Sequence, residues 1–479
     1  MAARFIGSVV APVLWPGLSR RCSQHATGLA RSPGSLRPLG SNAQPLWRMG
    51  QYTPAALGEQ LSRSYCSTQS PDVYTAPPQP LAREAPSVGH GFNTLANVKV
   101  DLERKELNVS WEGSGAKSQA YPFVWLRDNC HCPQCFHPTA LGRLPSSTHH
   151  LNVDVIADVV EISADGRSLI VQWDDGHESE FLFHWLGYHR FDQSLDDQLL
   201  YPKQSLWGSD VNIKSFDFDE LLAEDHSLYS WLAELVTRGV ALVKNAPAEV
   251  GQVYKLAERV AYLRATTYGA TFHVMSKPDP SSVGYTTGPF AMHTDYAPLS
   301  RTPGVLLLHC ILPAGEGGES LLVDGFKVAQ DLKKIDPEAF RLLTTYEFDY
   351  SEKGTDCFGS FYMHSRHPVI KLNELGDVEQ IVISNQSRDP MLRVPVDQIQ
   401  PIYHAFNKYF NMLQLPENLL QYKLQKGDIL TNDNRRVLHG RNSFQTNARH
   451  LEGGYVEWDE VNSRLRALTL QLQKNTTDE

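Results

Sequence analysis

No apolar run in this chain reaches the roughly 18 residues that a membrane-spanning helix needs. GVLLLHCILP and LTTYEFDY are strand-sized. Basic residues are in deficit: 44 Lys and Arg against 54 Asp and Glu leave a formal net charge of −10. That balance argues against a general nucleic-acid binder, which needs cations to meet phosphates. Cysteine is scarce, with seven in 479 residues. Cys130, Cys132 and Cys135 crowd together and the others are scattered, which is not the paired spacing of a secreted disulfide framework. No internal repeat is visible.

Lysine is missing from the first 70 residues, and no acidic residue precedes Glu59. Seven arginines, Arg4 to Arg63, are spread there among Ser, Ala, Gly and Pro. An Arg-rich, Ser-rich, acid-poor start is the composition of a mitochondrial transit segment. Arg63-Ser64-Tyr65 before Cys66-Ser67 looks like a matrix-protease cleavage site. The expected location is mitochondrial, with cytoplasmic as the alternative. The expected division is a transit segment over 1–70, a Pro-rich linker over 71–94, a β domain over 95–205, a larger domain over 206–470 and a tail over 471–479.

The first folded region alternates apolar and polar residues. DVVEISADGRSLIVQWDDGHESEFLFHWL holds three such runs, separated by Asp165-Gly166 and Asp175-Gly176. These are hairpin signals, so a meander is expected. Nearby, VWLRDNCHCPQC sets three thiols in C-x-C-x-x-C spacing. Zinc takes four N or S ligands in a tetrahedron, and a site filled by protein ligands is structural. His177, just past the Asp175-Gly176 turn, is the preferred fourth ligand. His131, His137, His149 and His150 are the other candidates.

The larger domain reads as many short strands with few helices. Leu228, Trp231, Leu232, Leu235 and Val236 recur at helical spacing, Gly239 ends that helix, and VALVKN is a buried strand. FKVAQDLKKIDPEAFRLLTT reads as helical, with Asp336-Pro337 capping its second part. IQPIYHAFNKYFNML reads as an amphipathic helix. Turns rich in Gly and Asp between short strands suggest a double-sheet jelly roll.

His293 and Asp295 flank one threonine in HTDY. Residues i and i+2 leave the same face of a strand, so one cation can take both. A second histidine, His439, follows a late strand in VLHGR, and Arg449 comes ten residues on. Two His and one carboxylate on one face, with open positions opposite, is the donor set of a non-haem Fe(II) oxygenase. An arginine beyond it suits a dicarboxylate co-substrate, which it can grip in bidentate fashion.

VWLRDNCHCPQC, DDGHESEF, YTTG, HTDY, PGVLLLHC, VDGF, VLHGR and RHLEGGYVEWD follow one another over about residues 95–470. In this order they resemble the γ-butyrobetaine/trimethyllysine dioxygenase family of Fe(II)/2-oxoglutarate oxygenases. The resemblance implies a mainly β fold with flanking helices: a small N-terminal β-rich zinc domain before a double-stranded β-helix core, assembled as a homodimer. It implies zinc on Cys130, Cys132, Cys135 and His177, and iron on His293, Asp295 and His439. Arg449, Leu308 and Ser320 would contact 2-oxoglutarate. Tyr268, Phe272, Tyr285 and Tyr455 would form an aromatic cage for a small quaternary-ammonium substrate. Ser282, Tyr296 and Asn385 would meet its carboxylate end. Phe272 and Ser282 depart from the family, which has Trp and Asn there. O2 is the oxidant and ascorbate the expected reductant. The implied reaction is hydroxylation of γ-butyrobetaine at C3 to L-carnitine, with trimethyllysine or another small betaine as alternative. An inactive zinc-stabilised binding protein is the reading from a different class.

Overall fold

The computed structural model describes residues 94–112, 118–144, 151–191, 202–276, 280, 282–445 and 449–477. The expected transit segment, and the linker but for its last residue, lie outside the described residues.

The N-terminal part has two three-stranded antiparallel sheets around one core. Leu95–Asp101, Glu106–Trp111 and Gln119–Pro122 form the first. Ala157–Ile162, Ser168–Trp173 and Glu178–Leu182 form the second, which is the expected meander. The strand alternation puts Leu107, Val109, Trp111, Leu169, Val171, Trp173 and Phe181 in the core. Gly166 and Gly176 turn the two hairpins with φ of +69° and +78°, a backbone region that glycine enters without steric cost.

The larger part is built on two sheets. The major sheet runs Thr271–Val274, His450–Val456, Val305–Leu312, Ile429–Asp433, Val240–Lys244, Ser215–Asp217. The minor sheet runs Phe290–His293, Val437–Arg441, Ser320–Asp324, Leu420–Tyr422. Neighbouring strands are far apart in sequence, as a rolled double sheet requires. Val240, Leu242, Leu430 and Leu451 of the major sheet pack with Leu322 and Val437 of the minor one.

Alternation turns the other residues outward. Ala241, Val243, Val305, Leu307 and Ile429 meet the helices Asp225–Arg238 and Trp458–Thr477, through Trp231, Leu232, Leu235 and Val461. The first of these helices stops at Gly239, left-handed at φ +76°. On the far side, Val323, Leu438 and Met292 of the minor sheet pack under helices Gly325–Ile335, Pro337–Thr345 and Val396–Leu413. A long hairpin, Glu347–Asp356 with Gly359–Pro368, projects from this side. Arg436 and Asp324 form a buried bidentate pair at 3.0 and 2.8 Å that ties the minor sheet to Ser205 and Thr237.

Two sequence expectations change. The stretch expected as one helix is two, because Asp336 leaves the helical region (φ −152°) and its side chain caps the second helix at Ala339 N. The last helix runs through Thr477, so residues 471–477 are not a separate tail. Its mixed charge hid it, and packing of Val461, Leu465 and Leu468 on the sheet holds it. Among the described residues, no helix is long and apolar enough to cross a membrane.

Candidate active site and thiolate cluster

His293 ends a minor-sheet strand and pairs in register with His439 on the next strand. Their rings lie 4.3 Å apart, centroid to centroid. Asp295, two residues on, turns between them: Oδ1 is 3.3 Å from His293 Nε2 and Oδ2 is 3.5 Å from His439 Nε2. The candidate donor atoms of the three residues lie within 4.8 Å of one another. Three facing donors at this separation fit a single cation and leave one side of it free. Among the described residues, His439 Nδ1 is buried without a partner. Nδ1 of His293 sits 2.8 Å from the Ala291 carbonyl, which leaves Nε2 free to ligate.

Electrostatics keep the set ready for a metal. Burial lowers the His293 pKa, and His439 adds to it. Burial alone would raise Asp295, but the two histidines hold its carboxyl well below the usual range. Asp295 is also braced. Its backbone N–H donates to Asn434 Oδ1 at 2.6 Å, and Asn434 Nδ2 donates back to the Asp295 and Pro303 carbonyls. The Tyr455 hydroxyl donates to Asp295 Oδ2 at 2.9 Å, and burial keeps that phenol protonated. Tyr296, next in the chain, has φ +58°, a left-handed conformation that costs a non-glycine residue about 1–2 kcal/mol.

A cavity between the sheets opens onto these residues. Tyr268, Phe272, Ser282, Tyr285, Tyr296, Leu308, Ser320, Arg449 and Tyr455 all line it, with the three donors. The rings form one continuous wall. Phe272 stacks on Tyr455 at 5.4 Å, Tyr296 meets Tyr455 edge-on at 5.7 Å, and Tyr268 lies 6.1 Å from both Tyr285 and Tyr296. Gly453 makes room for Phe272: a Cβ there would overlap the ring. Arg449 is buried, and no hydrogen bond or ion pair meets its guanidinium among the described residues. Burial and the neighbouring Arg441 bring its pKa down to about 10, still charged at neutral pH. A buried cation without an anion is expensive, so this end of the cavity is made to receive one.

Asn385 does not join the site. It is exposed and lines a separate hollow with Arg388, Tyr403 and Phe406. The chain turns at 384–387, so the neighbours Ser384, Gln386 and Ser387 face the cavity instead. A turn breaks the period by which facing could be read. Four further residues at or behind the cavity wall escaped the sequence reading. Asn432 is buried with both amide atoms unpartnered among the described residues, and Glu352 comes from the projecting hairpin. Arg441 binds the Gly284, Thr286 and Gly288 carbonyls, clamping the loop that carries Tyr285. Asn434 braces Asp295. Arg441 and Asn434 sit beside His439 in NDNRRVLHGR, and that proximity was the available signal.

In the N-terminal part, His177 Nε2 lies 3.2, 3.4 and 3.5 Å from the sulfurs of Cys130, Cys132 and Cys135. A tetrahedron with Zn–S near 2.3 Å and Zn–N near 2.0 Å has S···N edges of about 3.5 Å. The four residues therefore fit zinc. Arg127 pairs with Asp175 at 2.9 Å and donates to Cys135 Sγ at 3.6 Å, while Asp175 accepts from the His177 backbone at 3.0 Å. His131 packs between Phe136 and Trp185, and the His137 ring accepts from Ala140 N, so neither is the fourth donor. His149 and His150 lie outside the described residues.

The comparisons with known proteins agree with this geometry. Residues 199–455 match the family model described as taurine catabolism dioxygenase TauD, TfdA family. Residues 98–187 match the model described as gamma-butyrobetaine hydroxylase-like, N-terminal. The chain is 38% identical over 360 residues to gamma-butyrobetaine dioxygenase of Homo sapiens, covering 74% of this chain and 92% of that protein. It is 33% identical over 374 residues to gamma-butyrobetaine dioxygenase of Pseudomonas sp. (strain AK-1), covering 76% and 93%. It is 31% identical over 388 residues to mitochondrial trimethyllysine dioxygenase of Mus musculus, covering 80% and 90%. With a His-Asp-His donor set, a buried arginine and a jelly-roll core already in place, the chain belongs to the γ-butyrobetaine and trimethyllysine dioxygenase family of iron- and 2-oxoglutarate-dependent oxygenases.

Proposed function

We propose that this enzyme hydroxylates γ-butyrobetaine at C3 to give L-carnitine. The observation that carries the reading is one cavity with three kinds of wall: an unpaired buried arginine, the His-Asp-His set, and a continuous aromatic surface. The greater identity to γ-butyrobetaine dioxygenases than to trimethyllysine dioxygenases supports the choice of substrate.

Iron(II) held by His293, Asp295 and His439 would supply dioxygen activation, coupling decarboxylation of 2-oxoglutarate to succinate and CO2 with hydroxylation of the substrate. The chain's own residues bind, orient and exclude water. Arg449 takes the far carboxylate of 2-oxoglutarate, with Ser320 as a hydroxyl partner and Leu308 against its carbon chain. Tyr455 keeps one Asp295 oxygen engaged, so the carboxylate offers the other. Tyr268, Phe272, Tyr285 and Tyr455 present π faces to a trimethylammonium group, which has no hydrogen to donate. Ser282 and Tyr296 offer hydroxyls to the substrate carboxylate. The aromatic wall keeps water from the reacting carbon.

Zinc on Cys130, Cys132, Cys135 and His177 serves structure in a domain spanning about 95–205, and the oxygenase domain spans about 206–470. All four positions are taken by protein, which leaves no place for substrate. The composition of residues 1–70 supports a mitochondrial location, and the family resemblance supports a homodimer and ascorbate as reductant.

The test is succinate formation by purified iron-loaded protein with ascorbate, over a panel of amines. γ-Butyrobetaine should give stoichiometric succinate and carnitine. Succinate with trimethyllysine alone would replace this reading with that of a trimethyllysine dioxygenase.

A further inference from the structure

The charges lining the cavity are unevenly distributed. Arg441 and Arg449 act on one another at the co-substrate end. Glu352 is the leading charge on the hydroxyl of Tyr268, and it acts on Tyr285 together with Asp356 and Asp295 and on Tyr296 together with Asp295. It is the one carboxylate besides Asp295 among the described lining residues.

Glu352 comes from the projecting hairpin, opposite Met363. Its Oε1 accepts from the Tyr268 hydroxyl at 2.9 Å, and among the described residues no cation pairs with it. Phe361, from the returning strand of the same hairpin, sets its ring 6.0 Å from Tyr268. Tyr268 is thus boxed by Tyr285, Tyr296 and Phe361, with a carboxylate on its hydroxyl. Burial pushes the Glu352 carboxyl up, and Asp295 adds to it. A buried carboxylate without a counter-ion costs free energy that an incoming cation would recover.

An aromatic face attracts a cation through its quadrupole, a weaker field than that of a full charge. Against rings alone, a neutral group of the same shape would compete better. A quaternary ammonium cannot accept a hydrogen bond from Tyr268 or donate one to Glu352. The carboxylate would therefore act on it as a charge, at longer range than contact.

We propose that Glu352 is a specificity-determining residue: its carboxylate, held by Tyr268, selects a permanently cationic head group over a neutral one of the same shape. This rests on reading the site as that of an ammonium-substrate oxygenase.

The experiment compares two substrates in the full-length iron-loaded enzyme. One is γ-butyrobetaine. The other is 5,5-dimethylhexanoate, in which carbon replaces the quaternary nitrogen. Trimethyllysine and its matching carbon analogue form a second pair. The wild type should favour the cation in kcat/KM, and E352Q should shrink that preference about tenfold, through KM for the cation rather than kcat. The KM for 2-oxoglutarate should stay unchanged in E352Q, which reports an intact fold. E352D, should E352Q not fold, should retain a preference for the cation. An undiminished preference in folded E352Q, or none in the wild type, overturns the proposal. Turnover of trimethyllysine alone overturns the substrate reading, and the second pair then decides the role of Glu352. Consumption of no ammonium compound overturns both.

Discussion

Tyr455 donates its hydroxyl to Oδ2 of Asp295 at 2.9 Å while its ring stacks on Phe272 at 5.4 Å. One side chain thus joins the candidate metal-ligating carboxylate to the aromatic wall. Position makes this pairing: Tyr455 lies on the major sheet opposite Leu306, and Asp295 follows the edge strand of the minor sheet. The substitution Y455F keeps the ring and removes the hydroxyl. Iron affinity should fall about 10- to 100-fold, as for other partners of metal ligands. KM for the ammonium substrate should change less than twofold. Metal titration alongside initial rates separates the two effects.

Arg449 is the buried cation with no anion of its own. Replacing it with methionine keeps the bulk and removes the charge. The KM for 2-oxoglutarate should rise by about two orders of magnitude, in line with the loss of one partner of a buried charge pair. R449M should also melt no lower than the wild type, because an unpaired buried charge is removed. Steady-state kinetics and a thermal melt check both.

Gly453 lies beneath the Phe272 ring, where a Cβ would overlap it. G453A should displace Phe272 from its stack on Tyr455. The expected costs are about 1–3 kcal/mol of stability and a raised KM for the ammonium substrate, with KM for 2-oxoglutarate unchanged. An unaltered KM for the amine would remove Phe272 from the cage.

Zinc loading should release protons. Burial holds the Cys130 thiol up to about 12, so at pH 7 without metal it carries its proton, and coordination requires the thiolate. The sign follows: binding should strengthen as pH rises from 6 to 8. Calorimetry in two buffers of different ionisation enthalpy reads the proton number directly. C132S should bind no zinc and lose the cooperative unfolding of the N-terminal domain. A zinc-free protein with an unchanged melt would show the cluster to be dispensable.

The Arg436–Asp324 pair is buried at both ends, and Asp324 also accepts from the Trp207 backbone at 3.1 Å. D324N leaves the guanidinium without its counter-charge. Stability should fall by about 3–5 kcal/mol, read as a lower denaturant midpoint at constant m-value.

Much of the molecule is legible in order and spacing. The meander follows from alternation and two Asp-Gly turns, and the candidate iron set from H-x-D, a distant His and a following Arg. These are local rules, or a few local rules in sequence, and each strand end carried its own signal. The aromatic residues were legible only through family resemblance, because a tyrosine on a strand reads equally as core.

What remained hidden depends on contacts between segments far apart in the chain. Asn385 carried the expected residue type, yet the turn at 384–387 faces its neighbours inward. Glu352 reads as one of two acids in YSEKGTD, until the hairpin carries it 84 residues back to the hydroxyl of Tyr268. The amino-acid sequence by itself determined the donor types, the strand alternation and the hairpin turns, since side-chain chemistry and backbone sterics act within a few residues. The tertiary structure decided which donors converge, which carboxylate faces the aromatic wall and which arginine is left without an anion. Those depend on how two sheets roll together, and burial of apolar faces, summed over the whole domain, drives that rolling.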